Sequence, residues 1–156
     1  MDGRAVGAPT RWTVVVFLDP ECPIANSYVP VVNALAVEFG PKGVGFLGAY
    51  TDPTGSLEKF RAHARDYALK FTAVDDRAQR LARFAGASYS AEAVVLDARG
   101  AILYRGRIDD RVGTDGAVRP AATSHDLRRV ITRLFAGEAG PFPGERGFGC
   151  SLATGR

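Results

Sequence analysis

Residues 13–18 are apolar without a break and rich in β-branched side chains, the pattern of a strand covered on both faces. After the polar stretch 19–21 the spacing changes. Ile24, Tyr28, Val31, Leu35 and Phe39 recur at helical intervals until Gly40-Pro41 ends the run, so a helix opens beside Cys22. Pro30 lies inside that helix, removes a backbone donor and predicts a kink. Val44–Tyr50 reads as a second central strand, and the polar loop 51–56 leads to a helix with Leu57, Phe60, Ala64 and Tyr67 on one face. A short strand over 71–74 follows, then Asp75 or Asp76 as the cap of a helix carrying Leu81 and Phe84, which Gly86 stops.

Ala93–Asp97, the turn Ala98-Arg99-Gly100 and residues 102–108 predict an antiparallel hairpin. Residues 109–123 have the Gly, Asp and Pro content of a long surface loop. Ser124 is the expected cap of a last amphipathic helix with Leu127, Val130, Ile131, Leu134 and Phe135 facing inward. The chain then reads as a Gly/Pro-rich tail over 137–156, after a core spanning 12–136. Helices alternating with mostly parallel strands, closed by a hairpin, predict a single domain over 1–156: a three-layer α/β/α sandwich with a mixed sheet and right-handed crossovers. Function in such sheets gathers at the carboxyl ends of the central strands, where Cys22 falls.

A chain of 156 residues with 46% hydrophobic content supports one buried core and is short for two. The net charge of +3 comes mostly from arginine, since Lys42, Lys59 and Lys70 are the only lysines. These arginines are interspersed with acidic residues, so no nucleic-acid partner is expected. No segment approaches the roughly 20 apolar residues of a membrane span, and residues 1–11 lack the apolar core of a signal peptide. The expectation is a soluble chain, and an exported one whose leader had been removed would read the same.

The chemistry rests on two cysteines. Cys22 stands where unpaired N–H groups and the helix dipole stabilise a thiolate. Pro23 suits the first helical turn, and backbone N–H groups near Ile24 and Ala25 would hold the sulfur anion. A buried, inert thiol is the alternative, but the strand-to-helix junction predicts partial exposure. Cys150, in a flexible Gly-rich tail, is not expected to pack in the core. His63, among Arg61, Ala62 and Arg65, reads as a solvated surface residue, and His125 is explained by the helix cap before it. Asn26 and Tyr28 either orient a substrate or face solvent and core respectively. Asn26 stands four positions after Cys22 where a copper-binding pair would need a second cysteine, so neither metal nor cofactor is expected.

The order of strand, Cys-Pro at a helix start, proline eight residues beyond the cysteine, βα units, hairpin and helix resembles the thioredoxin-like superfamily. More narrowly, FLDPECPIANSYVPVVNAL, YRGRIDDR and GFGCSL resemble the single-domain redoxins described as peroxiredoxin-like or thiol-disulfide oxidoreductase-like. The resemblance runs from about Trp12 to Leu152. It implies Cys22 as nucleophile, a disulfide or peroxide substrate and a thiol electron donor.

Three positions depart from the family pattern. Ala25 replaces the second cysteine of Cys-x-x-Cys, so a disulfide cycle cannot close within the motif. Asp19 stands where peroxiredoxins have threonine, and like-charge repulsion there would raise a nearby thiol's pKa. Ala91, in Tyr89-Ser90-Ala91-Glu92, replaces the usual cis-proline and is expected to be trans. An arginine supporting the thiolate, as in peroxiredoxins, would come from Arg105, Arg107 or Arg111. Cys150 would then be the distal partner of Cys22, either as a resolving thiol or in a permanent staple worth roughly 2–4 kcal/mol, the remaining alternative being no bond between them. The readings are a thiol-disulfide oxidoreductase, a thiol peroxidase, or a non-catalytic binding module held by a structural disulfide.

Overall fold

A computed structural model describes residues 10–152, and the outermost ends of the expected domain and tail lie outside the described residues. Strand β1 (Trp12–Leu18) forms the centre of a five-stranded sheet. It pairs in parallel with β2 (Val44–Tyr50), which pairs in parallel with β3 (Thr72–Asp75). On its other side β1 pairs antiparallel with β4 (Ala93–Asp97), which forms the hairpin with β5 (Ile102–Gly106). The order is β3-β2-β1-β4-β5.

Successive residues of a strand point to opposite faces, and the unbroken apolar run of β1 feeds two cores. Val14, Val16 and Leu18 pack with α1 (Pro23–Phe39), with Phe60 of α2 (Leu57–Asp66) and with α4 (Asp126–Phe135). Val15 and Phe17 turn to the other face, where Ala82 and Ala85 of α3 (Arg80–Ala85) cover them. The result is the expected α/β/α arrangement, with a thin second helical layer. The parallel β1–β2–β3 steps both move toward one edge, so right-handed crossovers place α1 and α2 on one face. Among the described residues no helix is long and apolar enough to cross a membrane.

Several local expectations shift. The α1 helix continues through Pro30, whose ring nitrogen cannot donate to the Asn26 carbonyl. Its buried face is Ala25, Tyr28, Val29, Val32, Leu35, Ala36 and Phe39; Ile24 and Val31 sit at the rim. In α3 the small residues Ala82 and Ala85 face the sheet while Phe84 is 58% exposed, because alanines let a short helix lie close to β1. Asp76 caps α3 from a distance: its two carboxylate oxygens accept the N–H groups of Leu81 and Ala82 at 3.0 and 2.9 Å. His125, not Ser124, occupies the cap position of α4 and makes no side-chain cap bond. Ser124 instead gives its backbone N–H to Asp110 at 2.9 Å.

The tail is not a loose appendage. Phe142 N–H donates to the Leu103 carbonyl at 2.7 Å and Arg107 N–H to the Glu145 carbonyl at 2.9 Å, so residues 142–145 lie along β5. The last segment crosses to residues 88–90. Ser90 N–H donates to the Cys150 carbonyl at 2.8 Å and Leu152 N–H to the Ser88 carbonyl at 3.0 Å, with Tyr89 and Ser151 bridged antiparallel.

Candidate active site

The β1 strand ends at Leu18, and Cys22 N–H closes a turn onto the Asp19 carbonyl at 3.0 Å. Cys22 then takes the N-cap position of α1 with extended backbone (φ −90°, ψ 110°), and Pro23 occupies the first turn, where its missing N–H costs nothing. The Cys22 Sγ accepts the Ala25 N–H at 3.5 Å. The Ile24 carbonyl accepts the Ser27 hydroxyl at 2.6 Å.

Ser90 is the residue that sequence reasoning missed. Its hydroxyl donates to Cys22 Sγ at 3.0 Å and accepts the Cys150 N–H at 3.0 Å. Because an N–H can only donate, the Cys150 amide occupies an oxygen lone pair and leaves the single hydroxyl proton free for the sulfur. Ser90 is placed there by a turn with Ala91 at φ +70°, closed from Glu92 N–H to the Tyr89 carbonyl at 3.3 Å, as a turn with positive φ at its third residue requires. Ala91 N–H also donates to the Phe17 carbonyl at 2.8 Å. Its preceding peptide is trans, as expected, since the cis bond among the described residues is Gly140–Pro141.

The two cysteines meet here as free thiols: Cys150 packs against the apolar cluster that contains Cys22, and the Ser90 hydroxyl links the Cys22 sulfur to the Cys150 amide. Burial works against a Cys22 thiolate, yet the neighbouring Cys150 side chain, the Ser90 hydroxyl, the Ala25 N–H and the Cys150 backbone outweigh it and hold the thiol below its ordinary value. Cys150 moves the other way, up to about 11, through burial, its bond to Cys22 and the charge on that sulfur. Of the two, Cys22 is the sulfur whose surroundings favour the thiolate. Asp19, expected to raise a nearby thiol, raises Cys150 through its charge; its carboxylate accepts the Glu21 N–H at 2.9 Å.

Partial exposure of Cys22 is corrected: the residue is 0% exposed, because the tail strand and Ser90 lie over it. Cys150 is the more accessible sulfur. The arginines expected near the thiolate have other partners. Arg107 pairs with the buried Asp126 at 2.7 Å, Arg105 reaches the Ala85 carbonyl at 3.3 Å, and Arg111 binds the Ser27 carbonyl at 2.9 Å while lying over the Tyr28 ring.

His63 is also corrected. It is 6% exposed, with Nδ1 at 2.7 Å from the Tyr50 hydroxyl and Nε2 at 2.7 Å from Asn26 Oδ1. The Asn26 amide nitrogen donates to the Pro20 carbonyl at 3.0 Å, which orients its oxygen toward His63. Nε2 is thus the donor and Nδ1 the acceptor of a neutral ring, and burial pushes the imidazole below 6.5. The chain of bonds braces the loop before Cys22 against α2. Tyr28 proves to be core: its hydroxyl donates to Asp109 at 2.8 Å and accepts the Val112 N–H. Among the described residues no group of three His, Cys, Asp or Glu side chains is placed to hold a metal.

No family model matches the chain, and no curated protein matches it in sequence. Solved structures do match. A hypothetical protein from Sinorhizobium meliloti superposes with TM-score 0.79 at 20% identity, over 92% of this chain and 80% of the other. An uncharacterized conserved protein from Geobacillus kaustophilus gives 0.78 at 24% identity, over 91% and 76%. A secreted Mycobacterium tuberculosis disulfide oxidoreductase gives 0.57 at 21% identity, over 78% and 81%, and thioredoxin-like proteins occur among the further matches. With this strand order, the cysteine at the head of α1 and these structural neighbours, the chain has the thioredoxin-like fold.

Proposed function

We propose that the protein is a thiol-disulfide oxidoreductase in which Cys22 is the nucleophile and Cys150 its distal resolving partner. The observation that carries the reading is the meeting of two free thiols from opposite ends of the chain, with the Ser90 hydroxyl bonded to the Cys22 sulfur and to the Cys150 amide and the surroundings lowering Cys22 while raising Cys150. That asymmetry suits exchange in both directions, since a low-pKa sulfur is both the populated nucleophile and the better leaving group. The disulfide oxidoreductase among the structural neighbours adds support to this choice of reaction class. Cys22 attacks one sulfur of a substrate disulfide, forming a mixed disulfide and releasing the other substrate sulfur as a thiolate that takes a proton. Cys150 then gives up its proton and attacks Cys22, the substrate's second sulfur leaves as a thiol, and a Cys22–Cys150 disulfide remains. A thiol donor reduces that bond and resets the cycle.

Mass spectrometry with oxidised glutathione tests the scheme. The wild-type chain should lose both thiols with no lasting adduct, whereas Cys150→Ser should retain one glutathione on Cys22. Two free thiols persisting under oxidant would refute it. A Cys22–Cys150 bond that external thiols cannot reduce would establish the fixed staple of a binding module. Saturable peroxide consumption lost in Cys22→Ser, with no turnover of disulfides, would establish the peroxidase.

A further inference from the structure

Resting on that reading, we infer that the segment Gly149-Cys150-Ser151-Leu152 sits in the protein's own substrate groove, so that the external substrate is an extended polypeptide carrying a disulfide-bonded cysteine, with glycine before it and an apolar residue two positions after. Cys22 is wholly buried, so no outside disulfide reaches it unless the covering tail gives way. What covers it has the form of a bound peptide. The tail adds antiparallel to residues 88–90 through main-chain bonds at Ser90 and Leu152, the strand-addition mode in which backbone groups supply affinity and alternate side chains supply selectivity. Its cysteine lies beside Cys22, with the Ser90 hydroxyl bonded to both the Cys22 sulfur and the Cys150 amide.

The flanking positions define the selectivity. A Cβ at Gly149 would fall on the Ser90 carbonyl oxygen, far inside contact distance, so the groove excludes any side chain before the cysteine. Leu152 packs against the apolar cluster of Val15, Phe17, Ala49 and Val94 beneath α3, which marks an apolar subsite two residues beyond. Ser151 between them is exposed and carries no selection. A substrate strand that replaces the tail presents its sulfur where Cys150 lay. Cys22 thiolate attacks it, one Cys22–substrate S–S bond forms as the substrate S–S bond breaks, and the departing substrate sulfur leaves with the electron pair and is protonated from solvent.

The test uses the full chain carrying Cys150→Ser and the peptide GFGCSL with its cysteine linked by a disulfide to 5-thio-2-nitrobenzoate, whose release is read by absorbance. The rate should saturate with peptide and fall at least about tenfold when valine replaces the glycine before cysteine or serine replaces the leucine. In the otherwise native chain, Gly149→Val should raise alkylation of Cys22 at least about tenfold, with circular dichroism and the melting transition reporting whether the fold is kept. Equal, unsaturable rates for all three peptides would overturn the inference while leaving the exchange reaction standing. If a chain carrying both Gly149→Val and Cys150→Ser, in which Cys22 is the remaining thiol, released no chromophore even from free 5,5′-dithiobis(2-nitrobenzoate), the oxidoreductase reading itself would fail.

Discussion

The buried His63 imidazole makes folding stability depend on pH in a way that can be worked through. Both ring nitrogens are committed, Nδ1 as acceptor of the Tyr50 hydroxyl and Nε2 as donor to Asn26. Burial disfavours the cation, and the carboxylates of Asp19 and Asp66 offset only part of that. The folded pKa therefore lies below the unfolded value of 6.5. Below pH 6.5 the unfolded chain gains a proton at this ring that the folded chain refuses, so stability falls on acidification by up to about 1.4 kcal/mol per pH unit until the folded ring titrates. Between pH 6.5 and 5.0 the loss reaches at most about 2 kcal/mol, or roughly 4–8 °C in melting temperature for a chain of this size. Urea denaturation of the reduced protein at half-unit steps from pH 7.5 to 5.0 measures it. His63→Gln is destabilised at every pH by about 1–3 kcal/mol, because Tyr50 or Asn26 loses its partner, and its slope through this window is shallower than wild type. Tyr50→Phe releases the Nδ1 lone pair and also lessens the slope. Indistinguishable slopes for wild type and His63→Gln would refute the neutral, doubly bonded ring.

Other substitutions probe the frame around the thiols. Ala91→Pro, which restores the residue type usual in the resembled family, should destabilise by at least about 2 kcal/mol, because proline fixes φ near −65° where the turn needs +70° and removes the donor to the Phe17 carbonyl; equal or higher stability in chemical denaturation would contradict the turn. Asp76→Ala leaves two amide donors of α3 without their acceptor and should cost about 1–3 kcal/mol, with amide exchange accelerating first at Leu81 and Ala82. Unchanged protection there would show that α3 is capped otherwise.

Local patterns were legible, and contacts between distant segments were not. Cys22 at the head of α1 could be read because strand, turn, cysteine and proline are adjacent in sequence. Ser90 gave no local sign: its hydroxyl matters only because the Ala91 turn and the returning tail converge on it. The flanking glycines of Cys150 suggested flexibility, whereas Gly149 is required by close approach to the Ser90 carbonyl. His63 shares a helical face with Phe60 at a spacing of three, a signal that could have placed it inward; its polarity argued otherwise because Tyr50 and Asn26, its compensating partners, lie on other elements. In α3 the narrow gap over β1 takes Ala82 and Ala85, with Leu81 packed partly buried beside them, while Phe84 turns outward. The arginines of YRGRIDDR were attached to the site through resemblance alone; buried Asp126 claims Arg107, and Arg105 and Arg111 reach the Ala85 and Ser27 carbonyls.

The path of the tail along β5 bears on self-association. An open sheet ends in a row of unsatisfied amides and carbonyls that another chain can copy onto. At the β3 end the strand is only four residues long. At the β5 end, residues 142–145 engage the Leu103 carbonyl and the Arg107 amide and press Gly144 against the Arg105 carbonyl, so the border is sheathed. Freeing the sulfur at Cys150 needs only the stretch beyond Gly147 to lift. A chain that peeled back as far as Phe142 would bare the β5 border, and the same sulfur, now outside, could bridge two molecules whose borders had joined. The anchor at 142–145 therefore separates a productive opening from one that leads to association, and its loss should surface first as reducible, cross-linked aggregates.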